Sequence, residues 1–394
     1  MTIPKINLAS VIDPPISGEW GKTPKSLNEN VNVIRTTNFT NRFKLDLSKG
    51  FAKRDISKKK VELKKLKFGD IILEKSGGSP SQPVGRVVFF DLKSGIYLTN
   101  NFTCILRANK KVNPKYLLYI LFAAHQTGET RKFQNKTTGI INLQLKRYIN
   151  EIKIPLPPLP VQKKIAATLD AADAYRQKTK TLIEKYDGLT QSLFLDMFGD
   201  PVRNEKGWEV KKLGDFGKWK SGGTPLRSKS EYYEDGNVPW YTSGELNSFY
   251  LSETKEKITE IALAESSAHN ILIGSLLLGM YDTAALKSGI TTKKSSCNQA
   301  IAFSKLNHNI VNTIYVYHYI QIGKEWLRRM QRGVRQKNLN LTMIRNMKVF
   351  YPPLPLQNKF ADRVRAIEVQ KKQAQATLEK AEELFQCLLQ RSFQ

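Results

Sequence analysis

The residues best able to ligate a metal or attack a substrate are thinly spread along this chain. The histidines His125, His269, His308 and His318 and the cysteines Cys104, Cys297 and Cys387 form no Cys-x-x-Cys, no close histidine pair and no Ser/His/Asp or Cys/His grouping. Neither a zinc site nor a nucleophilic triad is expected, and the thiols read as buried and free. Three fragments could carry chemistry. Asp13-Pro14-Pro15-Ile16 approaches the Asp-Pro-Pro-Tyr tetrapeptide of adenine-N6 methyltransferases, but Ile16 replaces the aromatic and no strand leads into a glycine-rich cofactor loop. A plain turn is the better reading. Glu253-Thr254-Lys255 has a nuclease-like spacing without a well-placed preceding acid, and reads as a solvated charge run. Ser221-Gly222-Gly223-Thr224 could offer backbone amides to a phosphate; it lacks the Lys-Ser/Thr ending of a nucleotide-binding loop, so contact with a nucleic-acid phosphate fits better.

Charge points toward a polyanion. The 394 residues hold 63 Lys+Arg against 35 Asp+Glu, a net +28, distributed as +17 over residues 1–155, zero over 156–200, +9 over 201–355 and +2 over 356–394. Such an excess attracts phosphates and releases counterions, so nucleic acid is the leading partner. Reading a duplex takes cations for the backbone and short polar or guanidinium side chains for base edges. The first basic stretch offers Lys22 and Thr23, then Arg35, Thr36, Thr37 and Asn38, then Asn135, Lys136, Thr137 and Thr138. The second offers Lys220, Ser221, Gly223 and Thr224, then Tyr241, Thr242 and Ser243, then Arg332, Arg335, Gln336 and Lys337. All are expected in loops. Arg328, Arg329, Arg332 and Arg335 cluster beyond Trp326-Leu327 and suit phosphate, whereas Lys58-Lys59-Lys60 and Lys64-Lys65-Lys67 read as a solvated lysine-rich loop.

Two similar scaffolds must position these residues. In the first, strand-like stretches at 31–35, 70–73, 85–90 and 102–106 precede a helix starting after Asn113-Pro114 and running from Lys115 to about Ala124. The second repeats the order. Ile273 to Leu278 answers Phe68 to Leu73, Asn298 answers Asn100, Ile314 to Ile320 answers the helix from Lys115, and Asn338-Leu339 answers Asn142-Leu143. Lys220 to Pro225 is matched with Lys22-Thr23-Pro24, and Asn237 to Thr242 with Asn32 to Thr37. The fold class is α+β: two mixed domains, residues 1–155 and 201–355, each followed by a long helix, 156–200 and 356–394. Apolar residues step at heptad spacing through Ile165, Leu169, Ala172, Thr179, Leu182, Tyr186, Leu189 and Leu193, and through Phe360, Val364, Ile367, Ala374, Leu378, Ala381, Phe385 and Leu388. The two helices are expected to pair as an antiparallel coiled-coil spacer, about 57 Å long for some 38 residues, and Gly188 offers a place for a bend.

Both helices enter through a proline collar, Ile154-Pro155-Leu156-Pro157-Pro158-Leu159-Pro160-Val161-Gln162 and Tyr351-Pro352-Pro353-Leu354-Pro355-Leu356-Gln357. Asp196-Met197-Phe198-Gly199-Asp200-Pro201 ends the first helix, and Gly207-Trp208 to Leu213-Gly214-Asp215 enters the second domain. With Asn142-Leu143 and Asn338-Leu339 upstream, these features resemble the specificity subunit of type I restriction-modification systems over nearly the whole chain. That resemblance implies two target-recognition domains, each reading half of a split double-stranded DNA sequence, and helices that dock methyltransferase subunits. A restriction/translocase subunit would complete the complex. It also implies no catalysis by this chain and no cofactor of its own, with S-adenosylmethionine on the methyltransferase. Without an apolar run of 18 residues or a signal-like N-terminus, no membrane association and a cytoplasmic location are expected. The competing readings are a cryptic methyltransferase or nuclease, and a basic, helix-mediated assembly protein binding RNA or acidic partners.

Overall fold

The computed structural model describes residues 4–24, 31–137, 139–281, 284–330 and 338–393, with backbone only at 136, 137, 329 and 330. The chain forms two compact units: unit 1 is Met1–Thr179 with Thr377–Gln394, and unit 2 is Lys180–Ala376. The division falls inside both long helices, Leu159–Phe198 and Leu354–Phe393. Each unit therefore owns the beginning of one helix and the end of the other.

In unit 1 an antiparallel sheet has the order Ile16–Ser17, Thr103–Leu106, Ile71–Glu74, Val87–Phe89. The last three strands are buried throughout, as expected for a sheet covered on both faces, while Ile16 is half-buried and Ser17 exposed at its edge. In a second sheet Val31–Ile34 lies between Ala52–Arg54, antiparallel to it, and Tyr97–Thr99, parallel to it. Asn113 caps the helix Pro114–Gln126 by accepting from the Tyr116 N–H at 3.0 Å, and Pro114 takes the first turn, where its missing N–H is harmless. The lysine-rich stretch is a helix, Lys58–Lys64, rather than a loop, and Lys60 and Lys64 both pair with Glu19.

Unit 2 repeats this scheme in the same register. Ile301–Ser304 lies between Lys220–Ser221 and Leu276–Gly279, so that Ser221 and Leu278 flank Ala302 as Ser17 and Leu73 flank Cys104. The ladders correct two of the sequence matches. Ser221-Gly222 corresponds to Ser17-Gly18, not to Lys22-Thr23, and both glycines sit where the backbone passes too close for a side chain. A Cβ on Gly18 would lie 1.9 Å from the Asn100 carbonyl oxygen, and one on Gly222 would lie 2.2 Å from that of Cys297. Likewise Tyr241 matches Ile34 rather than Thr36, because the Asn298 N–H donates to Tyr241 O as the Asn100 N–H donates to Ile34 O.

The collars attach the helices identically. The buried Gln162 carboxamide accepts from Asn113 N–H at 2.8 Å and donates to Pro157 O at 2.8 Å. Gln357 accepts from Asn312 N–H at 2.9 Å and donates to Pro352 O at 2.8 Å. Tyr116 and Tyr315 add hydroxyl bonds to Pro155 O and Phe350 O. The far end of the other helix then closes each unit, Phe393 against Tyr116 at 5.4 Å and Phe198 against Tyr315 at 4.7 Å. In unit 2 Asp187 meets Lys371 and Phe194 meets Phe360, so the helices run antiparallel.

The seam of the first helix is rotated from the expected one. Leu182 and Leu189 are 42% and 50% exposed, while Ala166, Leu169, Asp173, Arg176, Thr179, Thr190, Phe194 and Met197 are buried. The hydrophobic pattern misleads because two seam positions in unit 1 are charged. Arg176 pairs with Asp173 and with Glu382, and its guanidinium stacks 4.5 Å from Phe385, so the charges are neutralised where they are buried. The helix continues through Gly188.

This packing sets two expectations for stability. Gln162→Ala and Gln357→Ala each strand a buried N–H and a buried carbonyl, and each should cost about 1–3 kcal/mol in denaturant unfolding. Burial, helped by Arg86 and Arg131, lowers the His125 pKa to about 4, and burial, helped by Lys371, lowers that of His318 to about 3. Both lie below the unfolded value, so between about pH 6.5 and those values the unfolded chain binds more protons. Stability should therefore fall as pH drops through that window, by up to about 1.4 kcal/mol per pH unit for each histidine. His125→Asn and His318→Asn should flatten the curve of unfolding free energy against pH relative to the parent chain.

Candidate nucleic-acid interface

The same device presents residues at the end of the same strand in both units. In unit 1 Val31–Ile34 runs into Arg35, which caps the one-turn 3-10 helix Thr36–Asn38. Asn38 is fully buried; its Oδ1 accepts from Arg35 N–H at 3.0 Å and its Nδ2 donates to Gly50 O at 2.8 Å. It therefore holds the turn and is not available to a base. Thr37 is exposed and Thr36 half-buried, with the Thr36 carbonyl accepting from Arg86, whose guanidinium forms a two-point pair with Glu74. The Nε of half-buried Arg35 is enclosed with no hydrogen-bond partner among the described residues.

In unit 2 Val238–Tyr241 runs into Thr242, which caps Ser243–Glu245. Glu245 takes the part of Asn38: Oε2 accepts from the Thr242 N–H at 2.9 Å and hydroxyl at 2.7 Å, and Oε1 from Lys255 N–H at 2.8 Å. Burial opposes ionisation of Glu245, but the bonds from Lys255 and Thr242 outweigh it and hold the carboxyl below its usual range. Thr242 and Ser243 are half-buried. Tyr241 is buried and its phenol pushed up to about 12 by that burial, so it belongs to the core rather than to a reading surface.

The remaining candidates divide by element. Lys22 and Thr23 are exposed, and Arg54, stacked 3.8 Å over Trp20, donates to the Thr23 hydroxyl. Asn135, Lys136 and Thr137 lie on a strand, Gln134–Thr137, not in a loop. That strand forms a hairpin with Ile140–Leu143, and Asn135 is exposed. The second strand of the hairpin also pairs with Ser76–Gly78, so Gln134–Thr137 is the edge of a three-stranded antiparallel sheet. Lys220 and Ser221 are also on a strand, with Lys220 and Thr224 exposed and Ser221 half-buried. The amide-cradle reading fails at Gly222 and Gly223, because their N–H groups donate to Ile301 O and Cys297 O, and Gly223 is buried. Thr138, Arg332, Arg335, Gln336 and Lys337 lie outside the described residues. Arg328 is turned inward, donating to Ala285 O.

No group of three His, Cys, Asp or Glu side chains that could hold a metal occurs among the described residues. Burial raises the Cys104 thiol to about 12 and raises that of Cys297 as well, which makes them poor nucleophiles. Glu253 pairs with Lys293 on the surface.

The family model described as the type I restriction modification DNA specificity domain matches the chain twice, at residues 9–185 and 205–380. The chain belongs to this family. Among relatives of this specificity-domain family, a Methanocaldococcus jannaschii protein assigned as the MjaX type I restriction enzyme specificity subunit is 26% identical over 350 residues, 82% of this chain and 77% of that protein. The EcoR124I/EcoR124II specificity subunit of Escherichia coli is 25% identical over 259 residues, 62% of this chain and 59% of that one. A crystal structure of a type I restriction-modification S subunit from M. genitalium superposes with a TM-score of 0.61 at 16% identity, covering 100% of this chain and 96% of the other. A structure from work on assembly and conformational transition of the type I system gives 0.59 at 15% identity, covering 99% and 98%. These likenesses support the fold, two specificity domains joined through two long helices. Specificity subunits of type I systems are non-catalytic, in keeping with the family match. No described helix is long and apolar enough to cross a membrane.

The split between scaffold and surface can be tested at single positions. Asn38→Ala should cost about 1–3 kcal/mol of stability through the loss of its buried hydrogen bonds, whereas Lys220→Ala should leave unfolding within about 0.5 kcal/mol of the parent. Denaturant titration of the two variants side by side provides the measurement.

Proposed function

We propose that this chain is the DNA-reading subunit of a type I restriction-modification complex, each unit binding one half of a bipartite double-stranded target. The observation that carries this reading is the matched pair of capped turns. One scaffold ends in Arg35-Thr36-Thr37 and its duplicate in Thr242-Ser243-Gly244, the arrangement expected when a common frame serves two different half-sites. The exposed members of the candidate set would supply phosphate and base contacts, and the basic surface would supply the salt-dependent part of the affinity.

The helices would serve as both spacer and dock. Leu182, Leu189 and Val369 are large apolar residues 42%, 50% and 56% exposed on helices of unit 2, and such a surface suits helical partners, here the methyltransferase subunits. S-adenosylmethionine would bind there, with the target adenine flipped into the methyltransferase, and a restriction/translocase subunit would cut unmodified DNA.

Co-expression with a cognate methyltransferase in a methylation-free host should yield adenine methylation at one split motif with a fixed unread gap. That methylation should vanish when this chain is omitted, and methylation persisting without it would refute the reading. Deleting one heptad from both helices shortens the spacer by about 10 Å. Genome-wide methylation mapping should then show the gap reduced by about three base pairs, at ~3.4 Å per pair, with both half-sites unchanged.

A further inference from the structure

Because both units are built in one register, each serves as a control for the other. Asp70 precedes Ile71 as Ser275 precedes Leu276, and Arg107 follows Leu106 as Lys305 follows Ser304. The bridges Ile12–Ala108 and Gly217–Leu306 align the next residues, Asp13 and Lys218, while Ile16 and Lys220 face Ile105 and Phe303. The same sheet edge thus carries Asp13, Ile16, Asp70 and Arg107 in unit 1 but Lys218, Lys220, Ser275 and Lys305 in unit 2.

In unit 1 the charges are matched. Arg107 donates to both oxygens of Asp70, at 2.8 and 2.7 Å, and that pairing, with Asp13 adding its field, raises the guanidinium pKa. Nearby Lys64 pairs with Glu19 and Lys65 with Glu62, while the Lys67 ammonium has no carboxylate among the described residues and its backbone N–H donates to Asp70 Oδ2. In unit 2 the exposed Lys218, Lys220 and Lys305 have no carboxylate within salt-bridge distance among the described residues. With Ser275 where unit 1 has Asp70, Lys305 Nζ donates to the Ile273 carbonyl and to no carboxylate among the described residues. The three lysines line an open cleft of about 750 Å³ with His269, Asn270 and one acid, Asp215, whose Oδ2 already accepts from Lys212 N–H at 2.9 Å. Burial lowers the pKa of His308 beside it, and Lys305 and Arg365 press it down further.

Unit 1 shows that the fold does not require this charge, and gathered cations repel one another unless an anion joins them. The cleft also continues the candidate interface, since Lys220 leads into Ser221–Thr224 and Gly223 packs on the Ser267 backbone. We propose that Lys218, Lys220 and Lys305 form a phosphate-binding cleft that grips the duplex backbone in unit 2, with no equivalent in unit 1. This rests on the DNA-reading role proposed above. The expected consequence is an unequal hold: the second domain takes the larger share of the salt-sensitive affinity at this edge although its overall net charge is the smaller.

The test is duplex binding by the full chain, followed by anisotropy of a labelled mixed-sequence duplex across a salt series. Lys218→Gln, Lys220→Gln and Lys305→Gln together should flatten the slope of log K against log salt by about 0.9 for each phosphate left without its cation. The Lys→Arg versions should keep the slope, and thermal unfolding identifies any misfolded variant. A control triple, Lys163→Gln, Lys164→Gln and Lys380→Gln, all exposed helix positions, should change it little. Parent-like slopes in the cleft triple, or an equal flattening in the control, overturn the cleft while leaving the DNA-reading role standing. Absence of salt-dependent duplex binding by the parent chain overturns both.

Discussion

One carboxamide in each collar connects everything else. A run of prolines offers carbonyls but few N–H groups, and in each collar one proline, Pro157 or Pro352, is buried with a carbonyl that needs a donor. Gln162 and Gln357 resolve this from inside the helix they introduce, donating to Pro157 and Pro352 and accepting from the N–H of Asn113 and Asn312. Three elements meet at that side chain: the collar, the start of a long helix and the start of the domain's main apolar helix. The direction in which each long helix leaves its domain is fixed there, and the tyrosine hydroxyl bonds to Pro155 and Phe350 reinforce it.

The parts of this structure that are legible in the sequence are those governed by period and punctuation. The collars, the two long helices, the Asn113-Pro114 helix start and the match of Phe68–Leu73 to Ile273–Leu278 all follow from proline placement, heptad spacing and apolar runs. The parts that are not legible depend on which backbone a residue meets. Asn38 has the short polar side chain of a base reader, and it is buried because its amide fits a turn that only the folded chain creates. Leu182 and Leu189 fit the heptad seam on hydrophobicity alone, because burying Asp173 and Arg176 is unexpected until Glu382, more than 200 residues away, is seen beside them. Nothing local reveals that the amides of Gly222 and Gly223 are already engaged.

The duplication separates structural from functional polarity better than burial alone. Where both units carry the same group, as with the glutamines and the tyrosines, the fold demands it. Where a shared position changes type while its neighbours keep their register, the fold is indifferent. Arg35 against Thr242 and Asp13 against Lys218 belong to the second class. The basic excess of the chain is thus not uniform, and at the sheet edge the two units distribute it differently over one framework.

The exchange of helix ends has a consequence for the order in which the protein can be made. Unit 2 is a single continuous segment and can close once Ala376 has left the ribosome. Unit 1 begins first and finishes last, since the core around Phe43 and Tyr119 is completed by Phe385 near the end of the chain. At roughly 5–20 residues per second, its first part waits on the order of 10 to 40 s with an apolar groove uncovered. During that interval the end of the first helix, already synthesised and shaped like the missing piece, is the nearest competitor for the groove. The polar Thr190, standing where the second helix has Phe385, makes it a poor substitute.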